Sequence, residues 1–168
     1  GVQTCALPIS VILDDLGFYN VKLSCSSSRQ GFWIYDDEKM QVVLFDINLQ
    51  PIHKSNQLNA YVPSGFRPNF MIEENNKLYL NYPEKGILIF DQFGTYLKTI
   101  YQKGLENFQV VSEKIIFPAE HALVRFDPVY KTTDSLFYPA NKKYSDASIE
   151  LDKLYLFNLG KCEVYRIE

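Results

Sequence analysis

The sequence has few residues of the kinds that carry most enzyme chemistry. Its 168 residues include only two histidines and three cysteines. No G-x-S-x-G nucleophile elbow and no D-x-D-x-D-G calcium loop occurs in it. We therefore expect a non-enzymatic protein with no catalytic residue, no metal ligand and no cofactor, and the sequence assigns no binding residue.

The sequence also lacks an excess of basic residues and a long apolar run. The net charge is −3 and the isoelectric point is near 5.4, which argues against nucleic acid as a partner. No apolar stretch reaches the roughly 18 residues that a membrane-spanning helix needs. No segment shows helical periodicity over three turns, whereas 12 tyrosines and 12 phenylalanines suit half-buried strands. These features predict an all-β protein without a spanning segment.

The clearest organised stretch is Arg67–Ile100. It divides into four apolar or aromatic segments at Asn69–Glu73, Lys77–Tyr82, Gly86–Phe90 and Thr95–Tyr101. The residues between them are Asn, Pro, Gly and Asp, which favour tight turns. Four antiparallel strands in about 35 residues are typical of one blade of a β-propeller.

The same pattern recurs on both sides of this stretch. Phe-Asp pairs end at Asp46, Asp91 and Asp127, which lie 45 and 36 residues apart. Matching pairs of strands are predicted at Phe32–Tyr35 with Val42–Asp46, at Ile115–Pro118 with Ala122–Asp127, and at Leu154–Phe157 with Cys162–Ile167. A repeat of this length built only of strands predicts a propeller rather than a sandwich.

Several strands are apolar at every position instead of alternating. Val42–Phe45 and Ile87–Phe90 are examples, and this pattern is typical of strands covered on both faces by adjacent blades. Trp33, the only tryptophan, is expected to pack between blades with Phe32 and Tyr35; a binding surface is the alternative. A first strand is predicted at Asn20–Cys25, followed by a turn at Ser26–Gly31.

The first nine residues, GVQTCALPI at Gly1–Ile9, resemble the translation of a sequencing adapter. We interpret them as an adapter-like artefact and exclude them from the fold, so that a partial propeller domain is expected over residues 10–168. It contains about four four-stranded blades, of which the first and the last are incomplete. A fragment of a longer ring is therefore expected, with its natural start and any signal peptide outside it.

Two cysteines remain inside that domain, Cys25 on a first strand and Cys162 on a late strand. They form either one disulfide or two single thiols, and two buried thiols are the favoured interpretation.

Three segments carry a family resemblance: GFWIYD at Gly31–Asp36, LFDINLQPIHKSNQL at Leu44–Leu58, and NYPEKGILIFDQFGTYLKTI at Asn81–Ile100. They resemble an uncharacterised group of bacterial proteins with a six-bladed, NHL-like or TolB-like propeller, over about Ser10–Glu168. The resemblance implies that the chain is the C-terminal part of a six-bladed ring in an extracytoplasmic setting, the periplasm or the cell envelope. The resemblance assigns no functional residue in this sequence.

Some polar residues invite a chemical interpretation. His53 and His121 fall in different blades, on an outer strand and at a hairpin turn, and are interpreted as surface residues. The clusters Asp14–Asp15 and Asp36–Glu38 are interpreted as solvated turns rather than cation sites. The aspartates of the Phe-Asp pairs are expected to cap hairpin turns with their side chains.

Ser24–Ser28 around Cys25 lacks an adjacent base and an oxyanion donor, so a nucleophile is not expected there. The favoured function is a recognition or scaffold module whose ligand is a protein or a glycan. The alternative is a lactonase-like or esterase-like propeller hydrolase with a metal at the central opening of the ring. Its ligands would come from polar residues of the first strands, namely Asn20, Lys22, Asn69, Glu73, Gln109, Asp146 and Glu150.

Overall fold

A computed structural model describes residues 13–139, 142 and 144–167, so the adapter-like segment lies outside the described residues. The chain has a β-propeller fold made of successive antiparallel sheets. Its strands are β1 (Val21–Ser27), β2 (Gly31–Asp36), β3 (Gln41–Asp46), β4 (Pro51–Lys54), β5 (Phe70–Glu74), β6 (Lys77–Tyr82), β7 (Gly86–Asp91), β8 (Tyr96–Ile100), β9 (Gln109–Val111), β10 (Lys114–Pro118), β11 (Ala122–Asp127), β12 (Thr132–Phe137), β13 (Asp146–Glu150), β14 (Lys153–Asn158) and β15 (Lys161–Arg166). A 3₁₀ turn at Leu58–Ala60 interrupts the connector between β4 and β5.

The chain divides between Gly104 and Leu105 into two compact units. The first unit holds two four-stranded sheets, each with its strands in sequence order: β1 to β4 form the first sheet and β5 to β8 the second. The strands predicted for the central blade agree with β5 to β8 to within one residue at each end. The turn predicted at Ser26–Gly31 is too long, because β1 continues to Ser27 and pairs Ser27 with Gly31.

The two sheets of the first unit enclose a shared apolar core. Trp33 and Leu44 of the first sheet and Leu80 and Leu88 of the second belong to one cluster and are fully buried. Burying side chains of this size stabilises a fold by about 1.5–3 kcal/mol each. The prediction that Trp33 packs between blades is therefore confirmed. Val42–Phe45 and Ile87–Phe90 are at most 2% exposed, so both strands are covered on both faces as predicted. The second face of β3, however, packs against Leu13 and Phe18.

The aspartate that ends each Phe-Asp pair organises the hairpin turn that follows. Oδ1 of Asp46 accepts hydrogen bonds from the backbone N–H groups of Asn48 and Gln50, at 2.9 and 2.8 Å. Asp91 makes the same pair of bonds to the turn before β8, at 2.9 and 2.8 Å. Before β12, Asp127 accepts bonds from the N–H groups of the second and third following residues, at 2.9 and 3.1 Å. The predicted capping role is confirmed at all three positions.

The second unit holds the third sheet, β9 to β12, and the fourth sheet, β13 to β15. Ile116 and Leu123 of the third sheet share a core with Leu154 and Leu156 of the fourth. Among the described residues the fourth sheet has three strands, whereas each of the other three sheets has four.

Both cysteines among the described residues are free thiols. Cys25 is half-buried, but Cys162 is exposed, so the interpretation of two buried thiols is wrong for Cys162. The reason is that Cys162 lies on the outer face of β15, where side chains alternate between exposed and partly buried positions. Within the described part of the chain, no helix has the length and apolar character needed to cross a bilayer.

Candidate functional site

Two of the polar residues proposed as metal ligands, Glu73 and Asn69, are hydrogen-bonded within the first unit. Glu73 accepts hydrogen bonds from the Trp33 indole N–H at 2.6 Å and from the Ser28 backbone N–H at 3.0 Å. Asn69 accepts a hydrogen bond from the Asn81 side-chain amide at 2.7 Å. Lys22 is exposed on β1. These partners give Glu73 and Asn69 a structural role.

The second unit shows the same pattern. The Gln109 side chain bonds both backbone groups of Ile149, accepting from the N–H at 2.8 Å and donating to the carbonyl at 3.3 Å. Asp146 accepts a bond from the backbone N–H of Ala147, at 2.8 Å. Glu150 is exposed. No group of three or more His, Cys, Asp or Glu side chains that could hold a metal occurs in residues 13–139, 142 and 144–167.

Glu73 also determines the chemistry of the segment around Cys25. Burial, followed by the negative charge of Glu73, raises the pKa of the Cys25 thiol to about 12. The thiol is therefore protonated near neutral pH, whereas a nucleophilic cysteine must be a thiolate. The Ser28 hydroxyl donates to Glu73 Oε1 at 2.5 Å, so this carboxylate holds the β1–β2 turn against β5.

The bonds to Glu73 predict a pH effect. Burial alone would raise its pKa, but the hydrogen bonds from Ser28, Ser27 and Trp33 outweigh burial and lower it. A carboxyl group with a lowered folded-state pKa stabilises the fold above its unfolded-state pKa, and this contribution is lost as pH falls through the folded-state pKa. We expect the urea midpoint of wild type to fall between pH 5 and pH 3 more than that of Glu73→Gln. Glu74→Gln, on the same strand, is the control and should keep the wild-type profile; identical profiles for all three proteins would contradict the assignment.

The acidic turn after β2 was predicted to be solvated, but the structure buries its aspartates. Asp36 is fully buried, and its Oδ1 accepts hydrogen bonds from the backbone N–H groups of Glu38 and Lys39 at 3.0 and 3.3 Å. Asp37 is 11% exposed and pairs with Arg67 at 3.2 Å. The interpretation as a solvated turn is therefore wrong for both aspartates, because the turn folds back onto the protein and uses their carboxylates as acceptors.

A tyrosine pair lies beside this turn. The Tyr35 hydroxyl donates to Asp37 Oδ1 at 3.2 Å, and the rings of Tyr35 and Tyr82 meet edge to face at 6.4 Å. The Tyr82 hydroxyl is buried near that of Tyr35 without a hydrogen bond of ordinary geometry. Burial raises the pKa of both hydroxyls, so both stay protonated at neutral pH.

The two histidines lie in different units. His121 is exposed in the turn between β10 and β11, 3.6 Å from the Glu120 carboxylate, as expected for a surface residue. His53 lies on the outer strand β4, and its ring meets that of Phe93 edge to face at a centroid distance of 5.1 Å.

This contact belongs to a surface that the sequence analysis missed. The Phe93 surface consists of Arg29, His53, Gln92 and Phe93, which come from the β1–β2 turn, from β4 and from the β7–β8 turn. The Arg29 guanidinium lies over the Phe93 ring at 5.3 Å and donates to the Gln92 side chain. The Phe93 ring is nevertheless 48% exposed. A signal was present in the sequence, since Asp91–Gly94 is a turn that carries an aromatic residue where polar residues are usual.

Comparison with solved structures gives the fold of the chain. The computationally designed Ika4 protein is 9% identical with a TM-score of 0.53, over 84% of this chain and 88% of Ika4. The WD40 domain of Pan2 from Neurospora crassa is 10% identical with a TM-score of 0.52, over 82% of this chain and 43% of that chain. The N-terminal domain of Nup159 is 11% identical with a TM-score of 0.50, over 87% of this chain and 42% of that chain.

WD40 repeats form β-propellers, so this likeness agrees with the sheets described above. At these identities it shows the fold alone. The chain spans less than half the length of the Pan2 and Nup159 chains. No family model matches the sequence, and no curated protein matches it.

Proposed function

We propose that the chain is part of a non-enzymatic β-propeller module that recognises a protein partner through the Phe93 surface. The observation that carries this proposal is the half-exposed Phe93 ring, held by Arg29 and His53 from two other segments. By contrast, the Glu73, Asp36 and Asp37 carboxylates, which an enzyme site would draw on, are bonded within the fold.

The composition of this surface favours a protein partner. Aromatic residues and arginine are enriched at protein interfaces and supply most of the residues whose truncation weakens binding strongly. The contacts to Arg29 and His53 restrain the Phe93 ring before binding, which reduces the entropy lost on association. A glycan is less favoured, because Arg29 covers a face of the ring on which a sugar would stack.

The larger architecture in this proposal rests on the sequence resemblance. The module is one part of a six-bladed, NHL-like or TolB-like ring that works in the periplasm or the cell envelope. The alternative, a hydrolase with a metal at the central opening, has no specific support from the residues that the structure describes, and it serves as one outcome of the test.

The test places a photo-crosslinking amino acid at position 93 and, as a control, at position 130. Tyr130 is 78% exposed in the turn after Asp127, which corresponds to the turn that carries Phe93. In an extract of the source cells, we expect a discrete protein adduct from position 93 and none from position 130. With the purified partner, Phe93→Ala should weaken binding by about 30-fold and Tyr130→Ala by less than about 3-fold.

Two results would contradict the proposal. Equal affinities for Phe93→Ala and wild type would exclude the Phe93 surface as the binding site. Stoichiometric calcium or zinc in protein purified without chelators would favour the hydrolase and overturn the non-enzymatic assignment.

A further inference from the structure

The arginine of the Phe93 surface comes from a different sheet than the ring it covers. Arg29 belongs to the turn between β1 and β2, whereas Phe93 belongs to the turn between β7 and β8. The Arg29 guanidinium lies over the Phe93 ring at 5.3 Å and donates to the Gln92 side chain. The arrangement of this surface therefore depends on the contacts that hold the β1–β2 turn against the second sheet.

Glu73 holds that turn at the residue next to Arg29. Its Oε1 accepts hydrogen bonds from the Ser28 backbone N–H at 3.0 Å and from the Ser28 hydroxyl at 2.5 Å. Glu73 lies on β5, so these bonds connect the turn of the first sheet to a strand of the second sheet. Hydrogen bonds to an ionised group are about twice as strong as those between neutral groups, which makes a carboxylate a better anchor here than an amide.

Ser27 supplies a second connection between the same carboxylate and Arg29. The Ser27 hydroxyl accepts the backbone N–H of Arg29 at 3.3 Å. It also lies close enough to Glu73 to lower the pKa of that carboxyl group. A hydroxyl can accept one hydrogen bond while it donates another. The two residues that precede Arg29 therefore both connect its backbone to Glu73.

The aromatic side of the surface is held separately. Oδ1 of Asp91 accepts the backbone N–H of Phe93 at 2.9 Å. Gly94, the next residue, lies so close to the first sheet that a Cβ atom there would come 3.2 Å from the backbone nitrogen of Ser55. The backbone of Phe93 is thus fixed by its own turn. The contact between the arginine and the ring is controlled from the side of the arginine.

The two oxygens of Glu73 bond to different parts of the first sheet. Oε1 receives the bonds from Ser28, and Oε2 accepts the Trp33 indole N–H at 2.6 Å. The bond from Trp33 reaches into the apolar core, because Trp33 is fully buried. Glu73 therefore contributes both to the stability of the core and to the position of the turn, and a test must separate these two effects.

We propose that Glu73 is a positioning residue of the Phe93 surface, which places Arg29 over Phe93 by holding Ser28. The inference rests on the proposed function, since the surface that Glu73 arranges is the proposed binding surface. Restraining a side chain before binding removes part of the entropy cost of association. Loss of the bonds to Glu73 frees Arg29 and weakens binding, although every side chain of the surface is still present.

The first test reads the ring directly and needs no partner. The ¹⁹F chemical shift of 4-fluorophenylalanine, placed at position 93 of the full chain, reports near neutral pH whether a cation lies over the ring. We expect Glu73→Gln to move this shift in the same direction as Arg29→Ala does. The double variant should move it no further than Arg29→Ala alone, because both residues act on the ring through one contact. Glu74→Gln, on the same strand, is the control and should keep the wild-type shift.

Leu80→Ala separates positioning from general stability. Leu80 is fully buried in the core that the first and second sheets share, so its truncation lowers the urea midpoint without removing a bond to Glu73. We expect Leu80→Ala to leave the ¹⁹F shift at position 93 unchanged. The proposal is overturned if Leu80→Ala moves the shift as Glu73→Gln does, or if Glu73→Gln leaves the shift at its wild-type value.

The second test measures binding to the partner captured at position 93. Glu73→Gln should weaken binding by about 5-fold in the wild-type background and by less than about 2-fold in the Arg29→Ala background. Equal losses in both backgrounds would overturn the proposal, because Glu73 would then act independently of Arg29. A ¹⁹F shift that responds to Glu73→Gln in a chain that captures no partner would support the positioning role and contradict the proposed function, so the two failures are distinct.

Discussion

Leu88→Asp is expected to unfold the first unit. Leu88 lies in the middle of β7, is fully buried, and belongs to the core shared by the first and second sheets. A carboxylate at this position has no partner, and an unpaired buried charge costs about 3–5 kcal/mol. Since domains are stable by only about 5–15 kcal/mol, most of the stability of the first unit should be lost. Leu44→Asp, at the facing core position of β3, should have the same effect.

The matched control for Leu88→Asp is Leu97→Asp on the neighbouring strand β8. Leu97 is 48% exposed, so its replacement should change stability by no more than about 0.5 kcal/mol. Both variants add one negative charge, so only burial distinguishes them. Denaturant unfolding followed by far-UV circular dichroism is the measurement, and equal midpoints for Leu88→Asp, Leu97→Asp and wild type would show that Leu88 does not lie between sheets.

Gly31→Ala is expected to destabilise the first sheet by about 3 kcal/mol, because the new methyl group overlaps the backbone. Gly31 begins β2 and lies opposite Asp46 of β3. A Cβ atom at this position would come 2.0 Å from the carbonyl oxygen of Phe45. No side-chain rearrangement relieves this contact, so the two strands must separate locally.

Gly104→Ala is the control for this close approach. Gly104 has a φ of +75°, and a Cβ atom there would meet no heavy atom within 4 Å. Its replacement should therefore cost only the strain of a left-handed alanine, about 1–2 kcal/mol. If thermal unfolding showed that Gly31→Ala is no more harmful than Gly104→Ala, the register of β2 against β3 would be wrong.

The sequence predicted the strands well because their signals are local. Apolar runs of four to six residues bounded by Asn, Asp, Pro and Gly placed β2, β3, β6 and β7 to within about one residue. The repeated Phe-Asp pairs also predicted the three capped turns, since the aspartate and its backbone partners lie within four residues of each other.

The features that the sequence did not predict depend on contacts between distant segments. Arg29 and Phe93 are in contact although they lie 64 positions apart in the sequence. Arginine is ordinary in a turn, and only the aromatic ring of Phe93 is unusual there. The burial of Asp36 was missed although its bonds to Glu38 and Lys39 are local, because an acidic run is usually solvated unless the backbone folds around it. Glu73 was predicted only as a polar residue of a first strand, and its bond to Trp33 follows from the packing of two sheets.

The packing of two sheets around Trp33 is the central claim of this account, and tryptophan fluorescence tests it most directly. Trp33 is the only tryptophan, is fully buried, and donates its indole N–H to Glu73. We expect a blue-shifted emission that acrylamide quenches slowly in wild type and in Leu97→Asp, and a red-shifted, readily quenched emission in Leu88→Asp. Emission from folded wild type at the wavelength of a solvent-exposed tryptophan, with quenching as fast as that of free indole, would contradict it.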